Sequence, residues 1–137
     1  MKNDEPEDAE YKQFIFWCVY LVDKGLSLRL GRASTIPDWD VAIPSPTAQA
    51  TWKSPLRPYF CLWVTAARCQ GKIYELLYSP SSVGLTDELR QSRVESVARE
   101  LEDLAEETEA TNVSLRFLPR EWSVVPQCRK LANCAQL

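Results

Sequence analysis

Residues 26–46 read LSLRLGRASTIPDWDVAIPSP and change pattern abruptly in the middle. The leucines continue an apolar spacing of three and four residues that begins at Phe14, and this spacing is typical of a helix. Gly31 follows, where a residue with left-handed backbone dihedrals ends a helix without the steric penalty of a Cβ atom. Pro37 and two aspartates come next. The stretch therefore predicts a first helix at about residues 11–30, followed by an irregular acidic loop.

The full loop, residues 32–58, holds five of the nine prolines. Each proline lacks a backbone N–H donor and restricts the residue before it, which disfavours a helix there. Structureless loops of this length are uncommon in compact domains unless they are functional or side-chain contacts hold them. We expect four apolar side chains to hold this loop: Trp39, Val41, Ile43 and Trp52.

Two more helices are predicted after the proline-rich loop. Apolar residues keep helical spacing over about 59–78, and Gly71 within that run indicates tight packing, because glycine costs about 1 kcal/mol relative to alanine in a helix. The third helix is predicted at about 86–108, with Thr86 as its N-cap. Acids crowd its C-terminal end and oppose the helix dipole, so we expect the last turn to fray. The fold class predicted from these elements is all-α.

The predicted helical domain occupies residues 11–110 and lies between two tails of different character. Residues 1–10, MKNDEPEDAE, carry five acids and almost nothing to bury, which predicts a disordered acidic tail. Residues 111–137 predict an irregular tail. Within it, Val113 and Leu115 alternate with polar residues and allow a short extended segment.

Four charged residues surround the glycine and the proline of the first loop. Arg29 and Arg32 lie on either side of Gly31, within chain reach of Asp38 and Asp40. A planar guanidinium pairs bidentately with a carboxylate, so we expect these four residues to form a structural clamp that ties the loop to the helix end. An interaction or ligand site built from the same charges is the alternative.

Composition argues against several functional classes. The 137 residues include no histidine to act as a general base, no phosphate-binding glycine loop and no nucleophile elbow, so we predict no enzyme and no catalytic residue. The five cysteines lack any C-x-x-C pair, which predicts reduced, intracellular thiols, no metal site and no cofactor. The net charge is −3, without a basic face for nucleic acid. The apolar run 14–22 is too short for a membrane span.

Three stretches together resemble the fungal-specific transcription factor domain, the middle homology region of zinc binuclear cluster regulators. They are FWCVYLVDKGLSLRLGRASTIPDWDVAIP at 16–44, WVTAARCQGKIYELLYSP at 63–80 and RQSRVESVARELEDL at 90–104. The resemblance covers roughly residues 11–110. It is partial, because the closely spaced cysteines of the family's zinc cluster do not occur in this sequence.

The resemblance implies an all-helical regulatory domain of a nuclear transcription regulator. The function it implies is control of DNA-templated transcription through protein contacts, with DNA and zinc binding only by family association, through a zinc cluster domain. A small-molecule effector is also implied. The family's domain is longer than this chain, so we expect uncovered apolar faces on the first two helices, and self-association or a protein partner.

An alternative function comes from the aromatic residues. Most of them are interpreted as core. The alternative is a small ligand-binding sensor or protein-interaction module without its own DNA binding, in which Trp17, Trp39 and Trp63 surround a ligand.

Overall fold

The computed structural model describes residues 6–46 and 57–116. These residues form three α-helices and no strand, as predicted. The helices are α1, Pro6–Arg29; α2, Arg57–Ile73; and α3, Asp87–Arg116. A π-helical turn, Tyr74–Tyr78, continues α2, and 3-10 turns occur at Asp38–Asp40 and Pro80–Ser82. α2 packs against both α1 and α3. None of the helices in the described ranges is long and apolar enough to cross a membrane.

The hydrophobic core lies between α1 and α2, and the loop after α1 covers part of it. Val41 and Ile43 pack against the core, as predicted, and the Trp17 indole N–H donates a hydrogen bond of 3.1 Å to the Pro44 carbonyl. Trp39 is 85% exposed, so the prediction that it holds the loop was wrong. The 3-10 turn directs its neighbour Asp38 inward instead, and Trp52 lies outside the described residues. The buried cluster itself consists of Trp17, Tyr20, Phe60, Val64 and Ala67.

The C-terminus of α1 confirms the predicted glycine stop. Gly31 has a φ of 62°, in the left-handed region that favours glycine. Its N–H donates to the Leu28 carbonyl at 3.1 Å, and the Arg32 N–H donates to the Ser27 carbonyl at 2.9 Å. This pair of bonds is the Schellman motif, which satisfies carbonyls that the helix end would otherwise leave without partners.

Gly71 lies against a side chain of α1 and leaves little room for a Cβ atom, which explains why a glycine is tolerated inside a helix. A Cβ atom at Gly71 would lie 3.1 Å from Lys24 Nζ and 3.3 Å from its Cδ. Gly25, on α1, faces α2 less tightly, since a Cβ there would lie 3.6 Å from Gln70 Oε1. The close packing predicted from Gly71 is therefore confirmed, and the side chain that needs the space is a lysine.

Both ends of the helical region extend beyond their predicted limits. α1 begins at Pro6, so residues 6–10, predicted to belong to a disordered tail, are helical. Proline suits a first helical position because its missing N–H would have no partner there. α3 does not end near 108 but continues to Arg116, so Val113 and Leu115 are helical rather than extended.

The extension of α3 has a tertiary cause. The Tyr59 hydroxyl, on the first turn of α2, donates a hydrogen bond of 2.8 Å to Asn112 Oδ1. This contact holds the end of α3 against α2, although the acids before it oppose the helix dipole. Thr86 caps the other end of α3 as predicted, with its Oγ1 accepting from the Leu89 N–H at 3.3 Å.

Candidate functional site

A cavity of about 330 Å³ lies where α1, the 3-10 turn, α2 and α3 meet. Its wall combines aromatic and aliphatic surface with both signs of charge. The lining residues are Trp17, Tyr20, Asp38, Val41, Thr65, Arg68, Cys69, Lys72 and Glu100.

Asp38 is the charged centre of one side of this cavity. Its Oδ1 accepts a hydrogen bond of 2.6 Å from the Tyr20 hydroxyl and lies 2.9 Å from Lys24 Nζ. The Lys24 side chain is fully buried, and its ammonium also lies 5.1 Å from the centre of the Tyr20 ring. The ion pair with Asp38 is not aligned as a hydrogen bond, so the buried ammonium depends on charge attraction.

Tyr20 keeps its proton in this arrangement. Burial and the neighbouring Asp38 carboxylate raise the pKa of the Tyr20 hydroxyl far above its ordinary value, although Arg68 lowers it in part. The hydroxyl is therefore a permanent donor to Asp38. Tyr20 and Lys24 are one helical turn apart on α1, so one face of α1 supplies both groups that hold the loop carboxylate.

The opposite side of the cavity is closed by an ion pair between α2 and α3. Lys72 Nζ lies 2.7 Å and 2.9 Å from the two carboxylate oxygens of Glu100. The Cys69 thiol lies 3.8 Å from Glu100 Oε2, and burial raises the pKa of this thiol above its ordinary value. Both side chains of the ion pair are partly exposed, so its contribution to stability is small.

Arg68 lies between these two groups and differs from both. Its guanidinium sits over the Trp17 ring, 5.5 Å from the ring centre, and interacts with the Tyr20 hydroxyl. Within the described residues it forms no ion pair with a carboxylate. A guanidinium lining a cavity without an acidic partner is the chemical feature that distinguishes this site.

A second acid, Asp23, holds the start of the loop. Its carboxylate accepts hydrogen bonds from the Ser34 hydroxyl and from the backbone N–H groups of Thr35 and Ile36, the last two at 3.1 Å. Burial alone would raise the pKa of Asp23, but the hydrogen bonds from Ser34, Ile36 and Thr35 outweigh it and lower the pKa. Asp23 is therefore ionised at neutral pH and acts as a local anchor.

The four residues predicted as a clamp are not brought together by the structure. Asp38 is in a clamp, but its partners are Tyr20 and Lys24 rather than an arginine. The Arg29 and Arg32 side chains form no ion pair or hydrogen bond with Asp38 or Asp40 among the described residues. Arg29 is the last residue of α1 and Arg32 follows the helix, and both are exposed. Lys24 lies more than one turn before Arg29, on the buried face of α1.

The sequence contained a signal for these partners that the prediction missed. Tyr20 and Lys24 are four residues apart and continue the buried spacing of Trp17. A lysine on a buried helix face is rare unless it is paired, so its position itself indicated a nearby acid.

The three tryptophans proposed to surround a ligand are also not together. Trp17 is buried beside the cavity, whereas Trp39 and Trp63 are exposed. No group of histidine, cysteine, aspartate or glutamate side chains in the described ranges is arranged to hold a metal ion. Cys18, Cys61 and Cys69 are free thiols.

A second feature is the face of α1 that points away from the core. Trp17, Tyr20 and Lys24 form the buried inner face. At about 100° per residue, the opposite side carries an apolar row that we call the outer face, and all of its members are exposed. The outer face consists of Tyr11, Ile15, Val19, Val22, Leu26 and Leu30.

The sequence model described as the fungal specific transcription factor domain matches residues 2–105. The chain belongs to this family. The match confirms the resemblance seen in the three quoted stretches, and it includes every residue that lines the cavity.

Two curated relatives are similar to this chain. One is the negative regulator of pleiotropic drug resistance STB5 of Candida glabrata, 29% identical over 102 residues, which are 73% of this chain and 10% of the relative. The other is protein STB5 of Saccharomyces cerevisiae, 26% identical over 106 residues, which are 76% of this chain and 14% of the relative. The chain thus spans only a small part of the length of either relative. No solved structure matches the chain significantly.

Proposed function

We propose that this chain takes part in the control of DNA-templated transcription in the nucleus through protein contacts, and that the outer face of α1 makes the contact with a second copy of the chain. Family membership supports the regulatory role, and DNA and zinc binding are attributed to the family only. The family description is that of a transcription factor domain rather than an enzyme. The observation that supports the proposed contact is the exposed apolar row on α1, because the other side of this helix is already buried in the core.

The outer face can pack against the outer face of a second copy, because both are apolar and of the same length. From Tyr11 to Leu26 the apolar row extends about 22 Å along α1, at 1.5 Å per residue. Val22 is 60% exposed and Leu26 is 52% exposed, so the row offers a continuous apolar surface to a partner. Water would be excluded only if another apolar helix covered the row.

The charges at the two ends of the row favour an antiparallel second copy. Asp8 and Arg29 are exposed and lie on the same side of α1 as the apolar row. In an antiparallel pair, Asp8 of one copy faces Arg29 of the other at both ends. The same register places Tyr11 opposite Leu26 and Ile15 opposite Val22. Such a contact is isologous, the kind that closes a two-fold dimer.

The proposed dimer is a weak one. Stable protein complexes bury roughly 1,200–2,000 Å² in total, and a single pair of helices buries less than most of these. We therefore expect dissociation in the micromolar range, where mass action responds to changes in protein concentration. Weak self-association fits a regulatory contact that forms and breaks.

Sedimentation velocity over a concentration series tests the contact. Val22→Glu should shift the chain to monomer, because it places carboxylates in the apolar row. Val83→Glu is the matched control: Val83 is 81% exposed in a turn away from α1, and the substitution should leave the dimer intact. Asp8→Arg and Arg29→Asp should each weaken dimerisation, and the double variant should restore it.

A transcription reporter with the chain fused to an unrelated DNA-binding domain tests the function. Val22→Glu should change reporter output, and Val83→Glu should not. Unchanged output for Val22→Glu would contradict a regulatory role for the outer face. A chain that remains monomeric at all concentrations would contradict the second copy as its occupant.

A second candidate function is a small-molecule sensor. The observation that favours it is the cavity beside Trp17, not the set of three tryptophans expected from the sequence. Ligand binding there would join the inner face of α1, the loop, α2 and α3, and so could affect the regulatory domain as a whole.

A further inference from the structure

We propose that the cavity binds a small monocarboxylate, with Arg68 as the group that holds its carboxylate. The inference rests on the second candidate function, the sensor, and is independent of the dimer.

The charged groups in and next to the cavity do not balance. Lys24, Arg68 and Lys72 are cationic, and Asp38 and Glu100 are anionic. Asp38 is engaged by Tyr20 and Lys24, and Glu100 by Lys72. Of these three cations, Arg68 alone forms no ion pair with a carboxylate of the described residues. The four charged residues of the lining balance by themselves, and Lys24, buried next to Asp38, adds one positive charge, which equals in size the charge of one monovalent anion.

The position of Arg68 suits a carboxylate in particular. The guanidinium is planar, is half-buried, and lies over the Trp17 ring, which restricts its position. Its N–H groups lie in that plane, so their edge presents paired donors that match the two oxygens of a carboxylate. Lowered solvent exposure strengthens such a bond relative to one at the surface.

The same surroundings argue against a phosphate. A phosphate carries more than one negative charge at neutral pH, and the carboxylates of Asp38 and Glu100 line the same cavity. The second charge would face these acids without a free cation to offset it. Val41 is partly exposed and lines the cavity, so it supplies apolar surface for the body of the ligand, and a carboxylate on a small apolar body fits best.

Isothermal titration calorimetry on the full chain tests the proposal with three probes. Benzoate should bind with a stoichiometry of one, and benzamide, its neutral analogue of almost the same shape, should bind at least about tenfold more weakly because it loses the charge-assisted pair. Inorganic phosphate should bind more weakly than benzoate. Absence of saturable benzoate binding, or equal binding of benzamide and benzoate, would overturn the proposal. Phosphate binding tighter than benzoate binding would also overturn it, because the cavity would then be a phosphate site.

Two arginine variants locate the binding. Arg68→Gln should weaken benzoate binding by about tenfold or more, and Arg68→Lys should retain part of it because the charge remains while the paired donors are lost. Arg99→Gln is the control, since Arg99 is exposed on α3, does not line the cavity, and donates a hydrogen bond to the Glu95 carbonyl of its own helix. Thermal melts establish that each variant is folded. Equal benzoate affinity in folded Arg68→Gln and in the unsubstituted chain would contradict the assignment.

Discussion

The inner and outer faces of α1 are both apolar in sequence, yet only one of them is core. The inner face buries Trp17 and Tyr20 almost completely, and it also buries the charged Lys24. The outer face exposes Val22 and Leu26, which are more hydrophobic than lysine. Hydrophobicity alone therefore did not select the buried side. The space beside Gly71 and the carboxylate of Asp38 permit the burial of Lys24 with Trp17 and Tyr20, because together they accommodate and neutralise the lysine.

The largest expected difference between the faces is in packing. Trp17→Ala should lower the free energy of unfolding by about 3–5 kcal/mol, because it removes a buried indole and leaves a cavity. Val22→Ala, on the outer face, should change it by less than about 0.5 kcal/mol. Urea denaturation at concentrations where the chain is monomeric measures both. Similar losses for the two variants would show that the outer face is buried in solution.

The next effect concerns the charge on the inner face. Asp38→Ala should cost about 3 kcal/mol, since it leaves the buried Lys24 ammonium without its counter-ion, whereas Lys24→Met should be nearly neutral because it removes the charge and keeps the volume. Thermal melts compare them. Arg32→Ala belongs in the same series: a clear drop in its melting temperature would restore the arginine clamp that the sequence predicts.

A smaller effect tests the anchor at the end of the inner face. Asp23→Ala should cost about 1–2 kcal/mol at pH 7 through its lost hydrogen bonds, and Asp40→Ala, an exposed acid of the same loop, should cost little. The pKa of Asp23 is lower in the folded than in the unfolded chain, so its contribution is complete above the unfolded value of about 3.9 and is lost as the pH falls through the folded value. The difference between Asp23→Ala and the unsubstituted chain should therefore shrink on acidification below about pH 4. A difference that stays constant to pH 2 would contradict this role.

The smallest effect separates the two glycines at the contact of α1 with α2. Gly25→Ala should stabilise the chain by up to about 1 kcal/mol, since alanine is the better helix former and a Cβ meets only ordinary contacts. Gly71→Ala should not stabilise it, because the new Cβ displaces Lys24 from Asp38. Denaturant melts of both variants measure this. Equal stabilisation by the two substitutions would show that Lys24 can move aside without loss.

Much of the fold follows from local rules that operate within one or two turns of chain. The glycine stop of α1 and the Thr86 cap of α3 were predicted correctly because both motifs satisfy backbone groups with residues only a few positions away. The apolar periodicity was sufficient for three helices, and Gly71 correctly indicated tight packing. The end of α3 was predicted too early because the Tyr59 hydroxyl bond to Asn112 joins residues far apart in sequence.

The sequence by itself determined that this chain is helical, where α1 stops, and which family it belongs to, because each depends on local spacing or on a linear pattern of residues. The tertiary structure decided which face of α1 is core, which cation neutralises Asp38, and that Arg68 lines a cavity without an acidic partner among the residues that the structure describes. These depend on distances between residues from different helices, and spacing along the chain does not contain such distances. The charged site exists only because folding brings residues of α1, the loop, α2 and α3 close together in space.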